Sequence, residues 1–399
     1  MSSISRRHFL YFAGSALATL GLNQLSFLEE AQNYGKVLAQ STPRKLALLV
    51  GINQYSSQPL EGCLNDVELQ SHLLIHRFGF NPQDILILPD EKANRQGILE
   101  AFEEHLIKQA KPGDVVVYHY SGHGSRIFDP KPIAVDTKDK EGLNGTFVPV
   151  DSSLPAGYPH TGGTVKDIMG HTLYLLMSAL STENVTAVLD SCFSGGATRD
   201  GRVRSRAGGK NVLVSADEKT YQEKWLSQLK MPPEAFVKGY RAGVAKGMVL
   251  AATNPQQLAR EVNINGFRAG IFTYLLTQYL WQQDSTVDSA IASILPQIPK
   301  NFHQTPGYEI KPGSNYKSQP LFFVNNPAST GNAVVTAVAD NRVSLWLGGA
   351  NLAALDEGTV FNVVNGTGKV TLLNRKGLVG EATSVGVVKT GMVLRQVTD

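Results

Sequence analysis

Two short stretches of the 399-residue chain carry residues able to act together as a nucleophile and its base. One is Ser121-Gly122-His123-Gly124-Ser125; the other is Asp190-Ser191-Cys192-Phe193-Ser194-Gly195-Gly196. A thiol becomes a useful nucleophile when a neighbouring base raises its thiolate fraction, and an imidazole can do this and later protonate a leaving amine. Cys192 is therefore read as the nucleophile and His123 as the base of acyl-transfer chemistry. The backbone N–H groups of Gly124 and Cys192 are the candidate donors to the oxyanion of a tetrahedral intermediate, because a residue without Cβ lets a carbonyl approach closely. A lone cysteine is most often a buried structural residue. What lifts Cys192 above that reading is that both stretches follow β-prone apolar runs, and in an open parallel sheet chemistry gathers beyond the carboxyl ends of the strands.

Side chains alternate along an extended chain, so Ser121 shares a side with His123, and Asp190 with Cys192. Asp190 then turns a carboxylate towards a working thiolate, which is unfavourable unless a positive charge arrives with the substrate. A basic side chain on the residue before the cut bond (P1) meets that need; the alternative is a turn residue whose carboxylate bonds nearby backbone N–H groups.

The elements that would hold these turns follow from the pattern around them. From Lys45 onward, short apolar runs alternate with amphipathic stretches, the signature of an α/β chain with a mostly parallel sheet flanked by helices. Strands are expected at residues 46–52, 85–88, 115–120, 185–189 and 248–252. Helices are expected at 65–77, from a cap at Asn94 to about 109, at 165–180 and at 272–281. Residues 129–163, rich in Asp, Lys, Pro and Gly, read as a loop. After Asn326, short Val/Leu runs separated by Gly, Asn and Asp give a small C-terminal all-β module over 333–399.

Composition narrows the function classes. With 42% hydrophobic and 18% charged residues and a formal net charge of +3, this is an ordinary globular chain with no nucleic-acid partner expected. Cys63 and Cys192 are the only cysteines, too few for a disulfide scaffold and without zinc-site spacing. Metalloprotease and nucleotide-loop motifs are missing from the sequence. At the amino terminus, Ser5-Arg6-Arg7-His8-Phe9-Leu10 is similar to a twin-arginine export motif, followed by an apolar run to about Leu22 that is too short to span a membrane. With small residues at Val37-Leu38-Ala39, residues 1–39 read as a signal peptide. That puts the mature chain, a peptidase section over 40–326 with no integral membrane segment, in the periplasm or another extracytoplasmic space; a monomer is expected.

Tyr118-His119-Tyr120-Ser121-Gly122-His123-Gly124 and Asp190-Ser191-Cys192-Phe193-Ser194-Gly195 resemble the histidine and cysteine motifs of the metacaspases, including their bacterial members, the orthocaspases. The 46–52 strand, Gly62-Cys63-Leu64-Asn65-Asp66 and Phe147-Val148-Pro149-Val150-Asp151 are similar to that family's pattern too, and the likeness spans about 45–324. The resemblance implies a caspase-haemoglobinase fold, with a large-subunit region at about 45–195 and a small one at 211–326. It also implies a Cys/His dyad working through a thioester acyl-enzyme, and cleavage of peptide or protein substrates after Arg or Lys. Its S1 pocket falls on Cys63, Asp66, Ser121 and Asp190, where two acids suit a guanidinium. Many metacaspases hold calcium on acids, for which this chain offers Asp136 or Asp139, Asp167 and Asp200. Lys166 beside Asp167 disfavours a divalent cation there, and no cofactor is expected to be required.

Two other functions fit the same residues: a catalytically modest caspase-fold binding or signalling module acting through its β-rich end, and a peptide ligase using the same dyad. An intact dyad favours an enzyme over the binding module, and nothing in the residues separates ligation from hydrolysis, since both pass through a thioester. Residues 195–210 join the two halves of the peptidase section and carry Arg199, Arg202, Arg204, Arg206 and Lys210 among small residues. They are expected to be exposed, flexible and the place of self-processing.

Overall fold

The computed structural model describes residues 43–134, 142–192 and 203–397, so the export signal expected over 1–39 lies outside the described residues. Six strands, Lys45–Gly51 (β1), Ile85–Pro89 (β2), Val115–Ser121 (β3), Asn184–Asp190 (β4), Met248–Ala251 (β5) and Gly307–Ile310 (β6), form a sheet in the order β2-β1-β3-β4-β5-β6. The first five run parallel, and β6 is antiparallel at the edge. Helices cover both faces, which is why the inner strands β1, β3, β4 and β5 are mostly apolar. Ala47 and Leu49 of β1 pack in a core with residues of the helices Cys63–His76 (α1) and Ile271–Gln282. Leu46, Leu48 and Val50 point the other way, into a core with Ile98, Phe102, Leu175 and Trp225. The mostly parallel, helix-flanked sheet is the expected architecture.

Two local expectations are corrected. Within the stretch read as a loop, Leu143–Phe147 is a strand antiparallel to Gly124–Phe128, in a second sheet of five strands that also takes in Gly163–Val165, Ile168–Met169 and Gly209–Val214. The helix expected from 165 begins only at Gly170. Met169 is still extended (φ −75°, ψ 153°), and its N–H is taken by the Glu218 carboxylate at 2.8 Å, a partner far along the chain.

The C-terminal module is all-β, a closed antiparallel barrel of Ala333–Ala339, Arg342–Trp346, Val360–Val363, Lys369–Lys376, Val379–Val385 and Val393–Gln396. It shares one hydrophobic core with the α1 face of the central sheet. Trp346 packs 5.5 Å from Trp281 and stacks on His72 of α1 at 4.4 Å, centroid to centroid. Among the described residues, no helix is long and apolar enough to cross a membrane.

Candidate active site

β3 and β4 lie side by side with Ser121 opposite Asp190, so His123 and Cys192 emerge together at the carboxyl end of the sheet. His123 Nε2 sits 2.7 Å from the Gln58 carbonyl oxygen. An oxygen acceptor there requires Nε2 to carry the proton, which leaves Nδ1 as the basic nitrogen. Nδ1 is buried and has no hydrogen-bond partner. The ring leans on Tyr55, 4.4 Å between centroids, and the Tyr55 hydroxyl accepts the His123 N–H at 2.9 Å. Gln58 reaches this place with a left-handed φ of 56°. A backbone carbonyl on a strained loop residue was not foreseen, and no side-chain type signals it.

Cys192 is a free, buried thiol whose Sγ accepts the Ala259 N–H at 2.7 Å. Burial pushes its pKa up to about 12, against the pull of that N–H and of the Arg204 guanidinium. Burial likewise lowers His123 to about 4, with the Gln58 carbonyl acting the other way. In this closed arrangement the pair therefore rests as neutral thiol and neutral imidazole.

The cleft is filled by the chain's own residues 203–206, which for these residues corrects the expectation of an exposed linker: Arg204 is 0% and Arg206 3% exposed. The segment is extended across the site. Val203 bridges Arg260 in antiparallel fashion, the Arg204 N–H donates to the Ala259 carbonyl at 3.0 Å, and the Arg206 N–H donates to the Gly124 carbonyl at 2.9 Å. Between them, the Arg204 carbonyl oxygen accepts the N–H groups of both Gly124 and Cys192, each at 3.1 Å. Gly124 has no room for a side chain, since a Cβ would lie 1.9 Å from the Cys192 carbonyl oxygen.

The Arg204 side chain is buried because three acids from distant segments surround it. Its Nη2 is 2.6 Å from Asp66 Oδ2 and 3.8 Å from Glu261 Oε2, and its Nη1 is 3.0 Å from Asp190 Oδ1. Nη1 also donates to Ser121 Oγ at 2.8 Å, while that hydroxyl donates to Asp66 at 2.6 Å. Thr273 N–H and Oγ1 hold the other Asp190 oxygen at 3.1 and 2.7 Å. Cys63, the first residue of α1, faces the same charges, and burial pushes its thiol pKa up. Burial also raises Asp66, with Arg204 opposing. Of the pocket residues named from sequence, Asp66, Ser121 and Asp190 contact the guanidinium directly. Glu261 was missed; so was Gly270, where a Cβ would lie 2.2 Å from Asp190 Oδ2.

The remaining sequence candidates divide. Arg199, Arg202, Asp136, Asp139 and Asp200 lie outside the described residues. Lys210 is exposed on the Gly209–Val214 strand, away from the acid pocket. Asp167 has both oxygens taken by the Arg206 guanidinium, at 2.8 and 2.7 Å, so a calcium ion at this carboxylate would have to displace a buried guanidinium. Among the described residues, no group of three or more His, Cys, Asp or Glu is placed to hold a metal.

Acid sensitivity follows from the buried imidazoles. Burial lowers His72 to about 4, His119 to about 3 and His123 to about 4, from an ordinary 6.5. A base depressed in the fold lends stability that is present above its unfolded value and lost as pH falls through the folded one. Asp66, raised by burial, works in the opposite sense, lending stability that is lost as pH rises. Burial also lowers His76 and His105 and raises Glu68; with five imidazoles against two carboxyls, thermal melts of the uncut chain should show Tm falling as pH drops from about 6.5 to about 4. A flat or rising Tm over that window would contradict the buried neutral histidines.

With the geometry described, comparison with known proteins finds a family match over part of the chain. Residues 45–199 match the family model described as metacaspase, peptidase C14 domain. The chain is 35% identical over 161 residues to Metacaspase-1 of Schizosaccharomyces pombe, covering 39% of this chain and 35% of that protein. It is 36% identical over 171 residues to Metacaspase-1B of Aspergillus clavatus, covering 41% and 38%. The chain thus spans little more than a third of the length of these relatives. Among solved structures, a Geobacter sulfurreducens protein aligns over 71% of this chain and 100% of its own, with TM-score 0.47 and 20% identity. Caspase-1 of Spodoptera frugiperda aligns over 68% and 87%, with TM-score 0.38 and 11% identity.

Proposed function

We propose, for a chain whose residues 45–199 match the metacaspase, peptidase C14 family model, that it is a cysteine endopeptidase cutting after Arg or Lys, and that its first substrate is its own Arg204–Ser205 bond. The observation that carries this reading is the placement of Arg204: its carbonyl oxygen lies on two N–H donors beside Cys192 while its guanidinium lies among three acids. That is how a P1 residue would be held for acyl transfer.

The steps follow from the groups present. Cys192 Sγ attacks the Arg204 carbonyl carbon as its proton passes to His123 Nδ1, and the Gln58 carbonyl fixes the tautomer that makes Nδ1 the acceptor. The oxyanion gathers on the Gly124 and Cys192 N–H groups. Collapse breaks the C–N bond, the imidazolium gives its proton to the Ser205 amine, and a thioester remains. Water, deprotonated by the same imidazole, then releases the acid and restores the thiol. The proposed chemistry runs on the dyad and calls on no cofactor.

A series of fluorogenic peptides differing only at P1, assayed with added calcium and with chelator, tests the reading. Arg and Lys peptides should be cut at rates the chelator leaves unchanged, and Asp peptides should be refused. Efficient cleavage after Asp would overturn it. Residues 1–39 are proposed as a twin-arginine export signal, and failure of that segment to carry a folded reporter out of the cytoplasm would remove this part alone.

A further inference from the structure

Beyond the bond at Arg204, a second guanidinium is buried in a built site. Arg206 pairs with Asp167 through two parallel bonds, Nη1 to Oδ1 at 2.8 Å and Nη2 to Oδ2 at 2.7 Å. Its Nη1 also donates to the Ser152 carbonyl and hydroxyl oxygens at 3.1 and 3.2 Å. Asp167 is held from the far side by the Ser152 hydroxyl at 2.6 Å and the Thr146 hydroxyl at 2.5 Å. Asp167, Ser152 and Thr146 are buried, and Thr146 belongs to the Leu143–Phe147 strand, so the carboxylate is set in rigid surroundings before any ligand arrives. The Arg206 N–H on the Gly124 carbonyl fixes the register: Arg206 is the second residue past the Arg204–Ser205 bond, at P2′.

We propose that Asp167, with Ser152 and Thr146, is an arginine-selective P2′ subsite, so that the enzyme reads Arg-Xaa-Arg across the bond it cuts. This rests on the reading of Arg204 as a P1 residue and adds a determinant on the leaving-group side. A planar fork matches a carboxylate in a way that a lysine ammonium does not. The pattern also sorts the chain's own basic residues. Among Arg199, Arg202, Arg204, Arg206 and Lys210, only Arg202 and Arg204 are followed two residues later by arginine. After cleavage Arg206 stays tethered close to the Gly209–Val214 strand, so a foreign substrate must displace it from the subsite.

The test uses the full chain carrying Arg206→Ala, which vacates the subsite, and two internally quenched peptides that differ only at P2′, Arg-Ser-Arg and Arg-Ser-Ala around the cut. The P2′ Arg peptide should be cut with a kcat/KM about tenfold higher, and a P2′ Lys peptide should fall between them. Adding Asp167→Asn should bring the ratio close to one. Ser152→Ala should lower the ratio and serves if the Asp167 variant does not fold; Arg206→Lys replaces Arg206→Ala on the same ground, with a smaller ratio expected. A ratio near one in the vacated enzyme, or a ratio indifferent to Asp167 and Ser152, overturns the subsite while cleavage after P1 Arg continues. Failure to cut after any basic P1 overturns the underlying function instead.

Discussion

Chain carrying Cys192→Ala should be recovered intact, whereas the parent chain should yield two fragments, the second beginning at Ser205. The expectation rests on two contacts that place the Arg204 carbonyl on the Gly124 and Cys192 N–H groups, the only carbonyl of the 203–206 segment so held. Removing Sγ leaves those donors in place but removes the atom that forms the thioester, so turnover of a P1 Arg peptide should fall by roughly 10³-fold or more. His123→Ala should fall comparably, because without Nδ1 the thiol, raised to about 12 by burial, has no acceptor for its proton. The fold should survive both changes: Cys192 and His123 sit in turns at strand ends, outside the ladder of β3 and β4. Gel analysis, N-terminal sequencing and thermal melts check the three statements together. Equal cutting in Cys192→Ala would assign the cleavage to another protease, and near-normal peptide turnover in either variant would remove the dyad.

The residues that sequence reasoning found are those whose chemistry is written locally. His123 stands between two glycines and Cys192 three residues before another pair, both at the ends of apolar runs, and strand alternation alone set Asp190 on the side of Cys192. Asp66 and Cys63 were reached through the family resemblance and not through spacing, because α1 joins the site only when β1 pairs with β3. Glu261 was out of reach. It lies on a short hairpin, Glu261–Ile264 with Phe267–Gly270, whose sequence gives no reason to turn a carboxylate inward. Its oxygens accept the Glu61 and Gly62 N–H groups at 3.1 and 3.0 Å, partners some two hundred residues away. The same distance effect misled the reading of residues 203–206. Arginines among small residues look solvated, and a guanidinium is buried only when acids from elsewhere compensate its desolvation. The late start of the helix at Gly170 has the same origin in Glu218.

The other large effect concerns those acids. Arg204→Asp would put a fourth carboxylate among Asp66, Asp190 and Glu261, all buried. The fragment beginning at Ser205 should then vanish, and the uncut chain should melt earlier, by an amount on the order of 3–5 kcal/mol, because the buried acids lose their only described guanidinium. Arg204→Lys keeps the charge and loses the fork that reaches Asp66 and Asp190 at once, so the same bond should be cut more slowly. On the substrate side, Asp190→Ala and Asp66→Ala should each lower kcat/KM for a P1 Arg peptide by roughly 10²-fold, through desolvated charge pairs that no other group replaces. Asp190 should matter more, since Thr273 fixes its second oxygen and leaves the first aimed at the guanidinium, whereas Asp66 is shared with Ser121 and Gly270. Continued cutting after residue 204 in the Arg204→Asp chain, or an unchanged P1 preference in both pocket variants, would show that the three acids hold the fold and do not choose the substrate.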